Sequence, residues 1–382
     1  MNSRNREYVH KMSSKGETSE HKTNNRGGAY VPIPFCARKC AYCDFYSFVS
    51  DAETMDAYTQ ALIWQIDSSC RSLQLTSAYI GGGTPSVLGA GRLVRIARAL
   101  FRAGLEQAAE FTVEVNPESV TTELIRALSY GGVNRISMGV QSFDDGQLAA
   151  LGRLADADRC LRAYDAVLSA GIDNISIDLM LAVPGQDTDS LYRTLQRALQ
   201  LRPAHISAYL LSVEPGTRFA AEGVQTADED TQAQMYLLTD ELLTDNGYVH
   251  YEISNFSLPG MQARHNLNYW KCGPYEAYGS GAHGFDGTTR YFYAPDAAEY
   301  IRAGGLPEKI IEQRLTPADK LKEKIMLGLR TSEGIDAALL HSDGILKFDR
   351  LCRAGLAVKT GHGYALTARG FLVSDAVIAE FL

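Results

Sequence analysis

The chain has 382 residues, 45% of them hydrophobic and 21% charged, and a formal net charge of −8. That length holds about two or three domains, and the composition is that of an ordinary globular protein rather than a disordered or fibrous one. The acidic excess argues against a general nucleic-acid binder, which carries a basic surface, and no membrane-length apolar run or signal-peptide pattern is read.

Residues 1–28 carry almost no apolar side chains, and Arg4, Arg6, Lys11, Lys15, Lys22 and Arg26 outnumber Glu7, Glu17 and Glu20. Such a segment buries too little surface to offset its chain entropy, so a disordered lead-in is expected. From 29 to 215, short apolar runs alternate with longer helical stretches. Strands are predicted over 30–33, 78–81, 111–115, 135–140, 174–179 and 205–210, and helices over 53–72, 90–103, 121–130, 145–170 and 187–201. Gly104, Gly131 with Gly132, and Gly171 stand just past helix ends, where glycine caps in a left-handed conformation. Six β-α repeats imply an α/β protein with a partial (β/α)6 barrel of the TIM type; an open doubly wound sheet is the alternative. Polar residues collect at the C-terminal ends of the strands, where barrel sites lie: Thr84, Glu114 with Asn116, Gln141 with Ser142, Asp178, and Ser212 with Glu214.

Residues 216–315 read as an irregular, aromatic- and glycine-rich segment covering the barrel, with one helix over 228–246. Residues 316–382 read as a separate winged-helix-like α+β unit, with a helix after Thr316-Pro317, a second over 344–354, and strands over 356–358 and 364–366. Without a basic stripe, that unit is expected to pack or contact protein rather than bind DNA.

Cys36, Cys40 and Cys43 follow the first strand in CxxxCxxC spacing. Thiolate is the soft donor that iron–sulfur clusters select, and three close thiolates hold three corners of a cubane, leaving one iron for a small chelating molecule. A zinc site is normally closed by four ligands, and no second CxxC pair exists; three plain structural thiols are the other alternative. The remaining cysteines, Cys70, Cys160, Cys272 and Cys352, are scattered singly. An odd total without paired spacing fits a reducing compartment, so a cytoplasmic location is expected.

Gly81-Gly82-Gly83-Thr84-Pro85 follows the second strand, and its glycines let backbone groups approach a ligand; a tight turn is the plainer reading. Glu114 and Asp178 suit ribose hydroxyls or an ammonium group, Gln141 both donates and accepts, and Arg153 can neutralise a carboxylate. A structural hydrogen bond is the alternative for each. His265, within Arg264-His265-Asn266-Leu267-Asn268-Tyr269-Trp270, is a candidate axial haem ligand, with Tyr269 and Trp270 lining a flat macrocycle. The alternative is that this segment covers the barrel mouth and His265 makes ordinary hydrogen bonds. His283 and Cys272 are weaker candidates, and His205 and His250 are read as structural.

Together with the stretches 30–36, 44–47, 114–117, 134–143, 151–153 and 178–185, these motifs resemble the coproporphyrinogen III oxidase-like branch of radical S-adenosylmethionine (SAM) proteins, from Tyr30 to the C-terminus. The oxidases of that branch resemble CxxxCxxCxC, but Phe45 stands at the fourth cysteine's place. Cys43-Asp44-Phe45 and the His265 motif are instead similar to the HemW-type haem chaperone family. The resemblance implies that Cys36, Cys40 and Cys43 hold a 4Fe-4S cluster. It implies that Tyr30, Tyr42, Gly82, Gly83, Thr84, Glu114, Gln141, Arg153 and Asp178 contact S-adenosylmethionine, and that His265 binds haem. It further implies delivery of haem to recipient haemoproteins such as respiratory-chain proteins, with no nucleic acid and no membrane span, and it leaves oligomerisation and SAM cleavage open. No catalytic residue is assigned. The alternative is an oxygen-independent coproporphyrinogen III oxidase that decarboxylates propionate side chains. Pro32 departs from the branch, which usually has His there; proline fixes the backbone and lacks an N–H, so altered geometry ahead of Cys36 is expected.

Overall fold

The computed structural model of the protein describes residues 26–69 and 73–382. The expected lead-in, up to position 25, lies outside the described residues.

Strand β1 (Arg26–Ile33) leads through α1 (Ala52–Ser68) to β2 (Gln74–Gly82). The alternation continues with α2 (Gly89–Arg102), β3 (Leu105–Val115), α3 (Thr122–Tyr130), β4 (Arg135–Gln141), α4 (Asp145–Ala150), α5 (Ala157–Ser169), β5 (Ile175–Leu181), α6 (Thr188–Leu201) and β6 (His205–Leu210). The six strands are parallel and lie side by side in chain order. Unreversed order with right-handed crossovers puts the helices on one face, as in a partial barrel. A doubly wound sheet reverses its order midway, so that alternative is excluded. Helix starts follow the sequence: Asp51, Thr121, Asp144, Asp156 and Asp187 each accept from the backbone N–H three residues on, each cap contributing about 1 kcal/mol.

Side chains alternate along the strands. Val31, Ile80, Val113, Ile136 and Ile177 are buried in the core with the helices, whereas Tyr79, Glu114, Ser137, Asp178 and Ser207 line the lumen. Complete barrels usually fill that lumen with branched apolar side chains. Here the lining is polar and aromatic, so the interior is a cavity rather than a core.

Several boundaries differ from expectation. β1 begins at Arg26, inside the expected lead-in, because its glycines serve packing: a Cβ on Gly28 would stand 3.0 Å from the His265 ring. The single helix expected over 145–170 is two. Gly152 adopts φ 76° between α4 and α5, and Asp156 caps the second helix. The apolar periodicity runs across a break that only the glycine marks. α1 stops at Ser68, where the Ser69 N–H turns back to the Ile66 carbonyl.

The segment read as irregular contains α7 (Arg218–Ala221), α8 (Glu229–Asp245), β7 (Val249–Glu252), β8 (Asn255–Ser257), α9 (Arg264–Trp270), β9 (Tyr275–Ala277), β10 (His283–Phe285), β11 (Thr289–Phe292), α10 (Ala297–Arg302) and β12 (Ile310–Arg314). Its strands extend the barrel sheet at both edges, β8 and β7 beyond β6 and β9 to β12 beyond β1. Strands this short carry too little alternation to be read from sequence.

The last unit comprises α11 (Pro317–Gly328), β13 (Ile335–Asp336), α12 (Ser342–Arg353), β14 (Ala357–Lys359), β15 (Gly363–Leu366), α13 (Ala368–Phe371) and α14 (Ser374–Ala379). Its three strands form a separate sheet in the order β13-β15-β14, the helix–strand–helix–two-strand arrangement of a winged helix. Ile325, Leu329, Phe348, Tyr364 and Phe371 form its core, and Tyr236 from α8 inserts into it, tying the unit to the barrel. No helix among the described residues is long and apolar enough to cross a membrane.

Candidate functional site

The loop after β1 carries the three cysteines to the C-terminal mouth of the barrel. Backbone bonds hold it at several points. Cys36 N–H donates to the Phe48 carbonyl at 3.0 Å, Thr84 N–H to the Phe35 carbonyl at 2.7 Å, and Ala41 N–H to the Leu151 carbonyl at 3.2 Å. Phe35 packs edge-on against Phe48 and Tyr58. Pro32 lies past the last β1–β9 pair, Tyr30 with Ala277, so its missing N–H removes no ladder bond. β1 stays paired with β2 through Pro32 and Ile33, and the altered geometry expected there is not found.

Cys36, Cys40 and Cys43 line one cavity of about 340 Å³ together with Tyr42, Gly82, Gly83, Thr84, Glu114, Gln141, Arg153 and Asp178. Eleven of the thirteen expected site residues therefore meet in one place. Tyr30 is not on that wall; its ring lies beside Tyr79, centroids 6.3 Å apart. His265 is the other exception.

The donor set fits a three-thiolate cluster. Burial, with Cys40 and Cys36 adding to it, pushes the Cys43 thiol up. The Thr84 hydroxyl donates to Cys36 Sγ, and Arg153 Nη1 to Cys40 Sγ, each at 3.5 Å. Hydrogen bonds to sulfur are how a protein tunes such a cluster. Among the described residues the set has three thiols lining the cavity and no fourth Cys or His in its wall beside them other than His205 at the floor, whereas a structural zinc site is closed by four ligands. A Cβ on Gly83 would stand 2.6 Å from the Phe35 carbonyl oxygen and 3.1 Å from Cys36 Sγ, so only glycine lets β2 approach the cysteine loop.

Further inside, Glu114 accepts from the Tyr79 hydroxyl at 2.7 Å and the Gly82 N–H at 3.1 Å. Burial pushes its carboxyl up to about 7 despite those donors. Burial also raises Asp178, which accepts from the Ser137 hydroxyl at 3.3 Å. Gln141 adopts φ 71° where the β4–β5 register shifts. A non-glycine residue held there costs about 1–3 kcal/mol and marks a constrained position. Arg153 Nη2 donates to Asn116 Oδ1 at 2.8 Å and to the Gly139 carbonyl at 2.7 Å, fastening the α4–α5 turn to the ends of β3 and β4.

His265 sits at the opposite end of the barrel from the cysteines, so the α9 segment plugs the floor instead of covering the mouth. It is 1% exposed. Nδ1 pairs with Ser77 Oγ at 2.9 Å and Nε2 with the Tyr269 hydroxyl at 2.6 Å, while its backbone N–H donates to Glu110 at 3.0 Å. Burial lowers the imidazole to about 3, so it stays neutral. Both ring nitrogens are taken, and the ordinary-hydrogen-bond reading describes this residue better than axial ligation. His205 is likewise buried, bonded to Ser176 and Tyr251. His283 is exposed at the β10 edge, away from the cavity.

Several lumen residues, Tyr79, Ser137 and Ser207 among them, escaped the sequence reading, and one carries a charge. Arg135, at the start of β4, is 2% exposed and lines the lumen with Ser137, Gly139 and Gln141 on the same strand face. The period-2 pattern from Gln141 backwards carried that signal, but Arg135 lay outside the strand-end positions where function was sought.

A partial barrel that offers three thiols and a glycine run to a polar lumen defines the radical SAM class, and the sequence pattern of the Radical SAM superfamily matches residues 30–198. The HemN C-terminal domain pattern matches residues 315–373. The chain is 34% identical to the Heme chaperone HemW of Lactococcus lactis, over 93% of this chain and 97% of that one. It is 37% identical to the Heme chaperone HemW of Haemophilus influenzae, over 92% and 97%. The chain belongs to the HemW family of radical SAM proteins. Among solved structures, the Escherichia coli coproporphyrinogen III oxidase HemN is similar with a TM-score of 0.80, covering 93% of this chain and 90% of that one at 22% identity; the fold is shared.

Proposed function

We propose that the protein is a haem chaperone that binds haem, holds a 4Fe-4S cluster on Cys36, Cys40 and Cys43 with S-adenosylmethionine beside it, and passes haem to recipient haemoproteins. The observation that carries this reading is the HemW likeness across more than nine-tenths of the chain. The loop supports it: Phe45, where an oxidase would carry a fourth cysteine, is 61% exposed at the cavity's lip. When bound, the cluster supplies an electron donor beside the SAM sulfonium. Glu114 and the Gly82 backbone then hold the amino end of the methionine, Gln141 and Asp178 the ribose, and the uncommitted N–H groups of Arg153 the carboxylate. Burial on the lumen side excludes water from these contacts. His265 is not carried forward as haem ligand, because both its nitrogens are engaged. Respiratory-chain proteins as recipients and a cytoplasmic location belong to the same reading.

The test is anaerobic reconstitution followed by haem titration and, in parallel, incubation with coproporphyrinogen III, SAM and a reductant. Stoichiometric haem uptake without protoporphyrinogen supports the chaperone. Protoporphyrinogen formed without haem uptake replaces it with the oxidase.

A further inference from the structure

The guanidinium of Arg135 stands deep in the lumen without a partner. Its Nε is buried and bonded to nothing, and among the described residues no hydrogen bond or ion pair reaches its side chain. Two carboxylates feel its charge, yet both are satisfied by other groups. Glu114 is held by Tyr79 and Gly82, and Asp178 by Ser137. A buried charge without a contact partner is costly to a fold, and a planar fork of N–H groups matches a carboxylate in two-point geometry. Arg153 belongs to the other end of the cavity, tied to Cys40 Sγ, Asn116 and the Gly139 carbonyl beside the cysteines.

A second cavity adjoins this one. It measures about 630 Å³, shares Tyr209 and Asn266 with the lumen wall, and is lined by Trp270, Tyr275, Phe285 and Met326. Its floor is buried: Asn255 is 5% exposed, lines this cavity and has an unpartnered Oδ1. Trp270 and Tyr275 offer a flat apolar molecule a face in this second cavity, and the shared Tyr209 and Asn266 wall joins it to the lumen that Arg135 lines.

We propose that Arg135 is a carboxylate receptor at the inner end of the lumen, filled either by a propionate arm of the tetrapyrrole cargo or by a free small carboxylate. The first source rests on the chaperone reading; the second does not. Arg135 thereby separates the two anion sites of the cavity, one beside the cysteines and one at the floor.

The test uses the reconstituted full chain as wild type, Arg135→Met and Arg135→Lys, with circular dichroism and cluster absorbance as folding controls. Haem is titrated beside haem dimethyl ester, whose propionates are blocked. The wild type should bind haem about ten- to a hundredfold tighter than the ester, as one charge-assisted pair allows. Arg135→Met should reduce that ratio to near one, and Arg135→Lys should keep part of it. In a separate arm, sodium propionate should raise the unfolding temperature of the wild type but not of Arg135→Met. Absence of any haem binding defeats the chaperone reading alone, and the propionate arm then decides for or against a free carboxylate. Equal affinity of the wild type for haem and its ester, with no propionate effect, overturns the receptor, and that comparison stands even if neither variant folds.

Discussion

Replacing Glu114 with Gln should flatten the loss of stability that the apoprotein suffers as pH rises. The carboxyl lies inside the lumen, and loss of water around it raises its pKa from 4.5 to about 7. The folded state therefore binds this proton more tightly than the unfolded chain does. Its stabilising contribution is complete below about 4.5 and is lost as pH climbs through about 7. The gap between those two values corresponds to about 3 kcal/mol. Gln keeps an acceptor for either Tyr79 or Gly82 and presents an amide donor to the other, a cost of about 1–3 kcal/mol that does not vary with pH. Two buried histidines act with the opposite sign. His265, lowered to about 3, and His205, lowered well below 6.5, contribute stability above the imidazole range that is lost as pH falls. Their effect is common to both proteins and cancels in the difference between wild type and variant. Equilibrium urea unfolding of the apoproteins at about pH 5 and about pH 8 gives that difference directly. Relative to Glu114→Gln, the wild type should lose about 2.5 kcal/mol between those two pH values. A difference constant to within about 0.5 kcal/mol would refute the assignment of the proton to Glu114.

Gly83→Ala should fold as a barrel but fail to retain the cluster, because its methyl meets the Phe35 carbonyl oxygen and Cys36 Sγ; iron and sulfide content with the visible absorbance of the reconstituted protein report this. Arg153→Lys removes the fork that joins Asn116 to the Gly139 carbonyl and should weaken SAM binding by about ten- to a hundredfold in equilibrium dialysis, with the cluster intact. His265→Ala strands Ser77 and Tyr269 and should lower the unfolding free energy by about 2–5 kcal/mol, while the folded fraction keeps the haem spectrum of the wild type. A changed axial signature in that variant would restore His265 as the iron ligand.

The sequence showed the barrel because its strands are compact apolar runs separated by glycine-stopped helices, and it showed the mouth because polar residues crowd one end of each strand. It did not show the floor. The sequence offers the His265 segment as a cover for the mouth or a haem site; the β9–β1 pairing, the absence of a side chain on Gly28 and the bonds to Ser77 and Glu110 bring α9 beneath the lumen. Tyr30 shares the inward face of β1, but its wall is taken by Tyr79, and the sequence gives no measure of which tyrosine reaches the ligand space. The helix expected over 145–170 runs straight through Gly152, whereas Gly152 ends α4 so that Arg153 can turn back to β3 and β4. In each case the decisive contact joins elements tens to hundreds of residues apart or depends on the direction of a turn, and local periodicity encodes neither.

The polar lumen also makes ligand binding and proton release one event. At neutral pH Glu114 is close to half protonated, because burial holds its pKa at about 7. SAM brings an ammonium and a sulfonium, and a cation beside a carboxyl favours the ionised form. Binding should therefore expel about half a proton near pH 7. Release should vanish at about pH 9, where Glu114 is already ionised, and should be absent in Glu114→Gln at every pH. Isothermal titration in buffers of different ionisation enthalpy measures the proton count directly. Equal release by wild type and Glu114→Gln at neutral pH would show that the ammonium sits elsewhere in the cavity, with Asp178 as the next carboxyl to test, since desolvation raises it too.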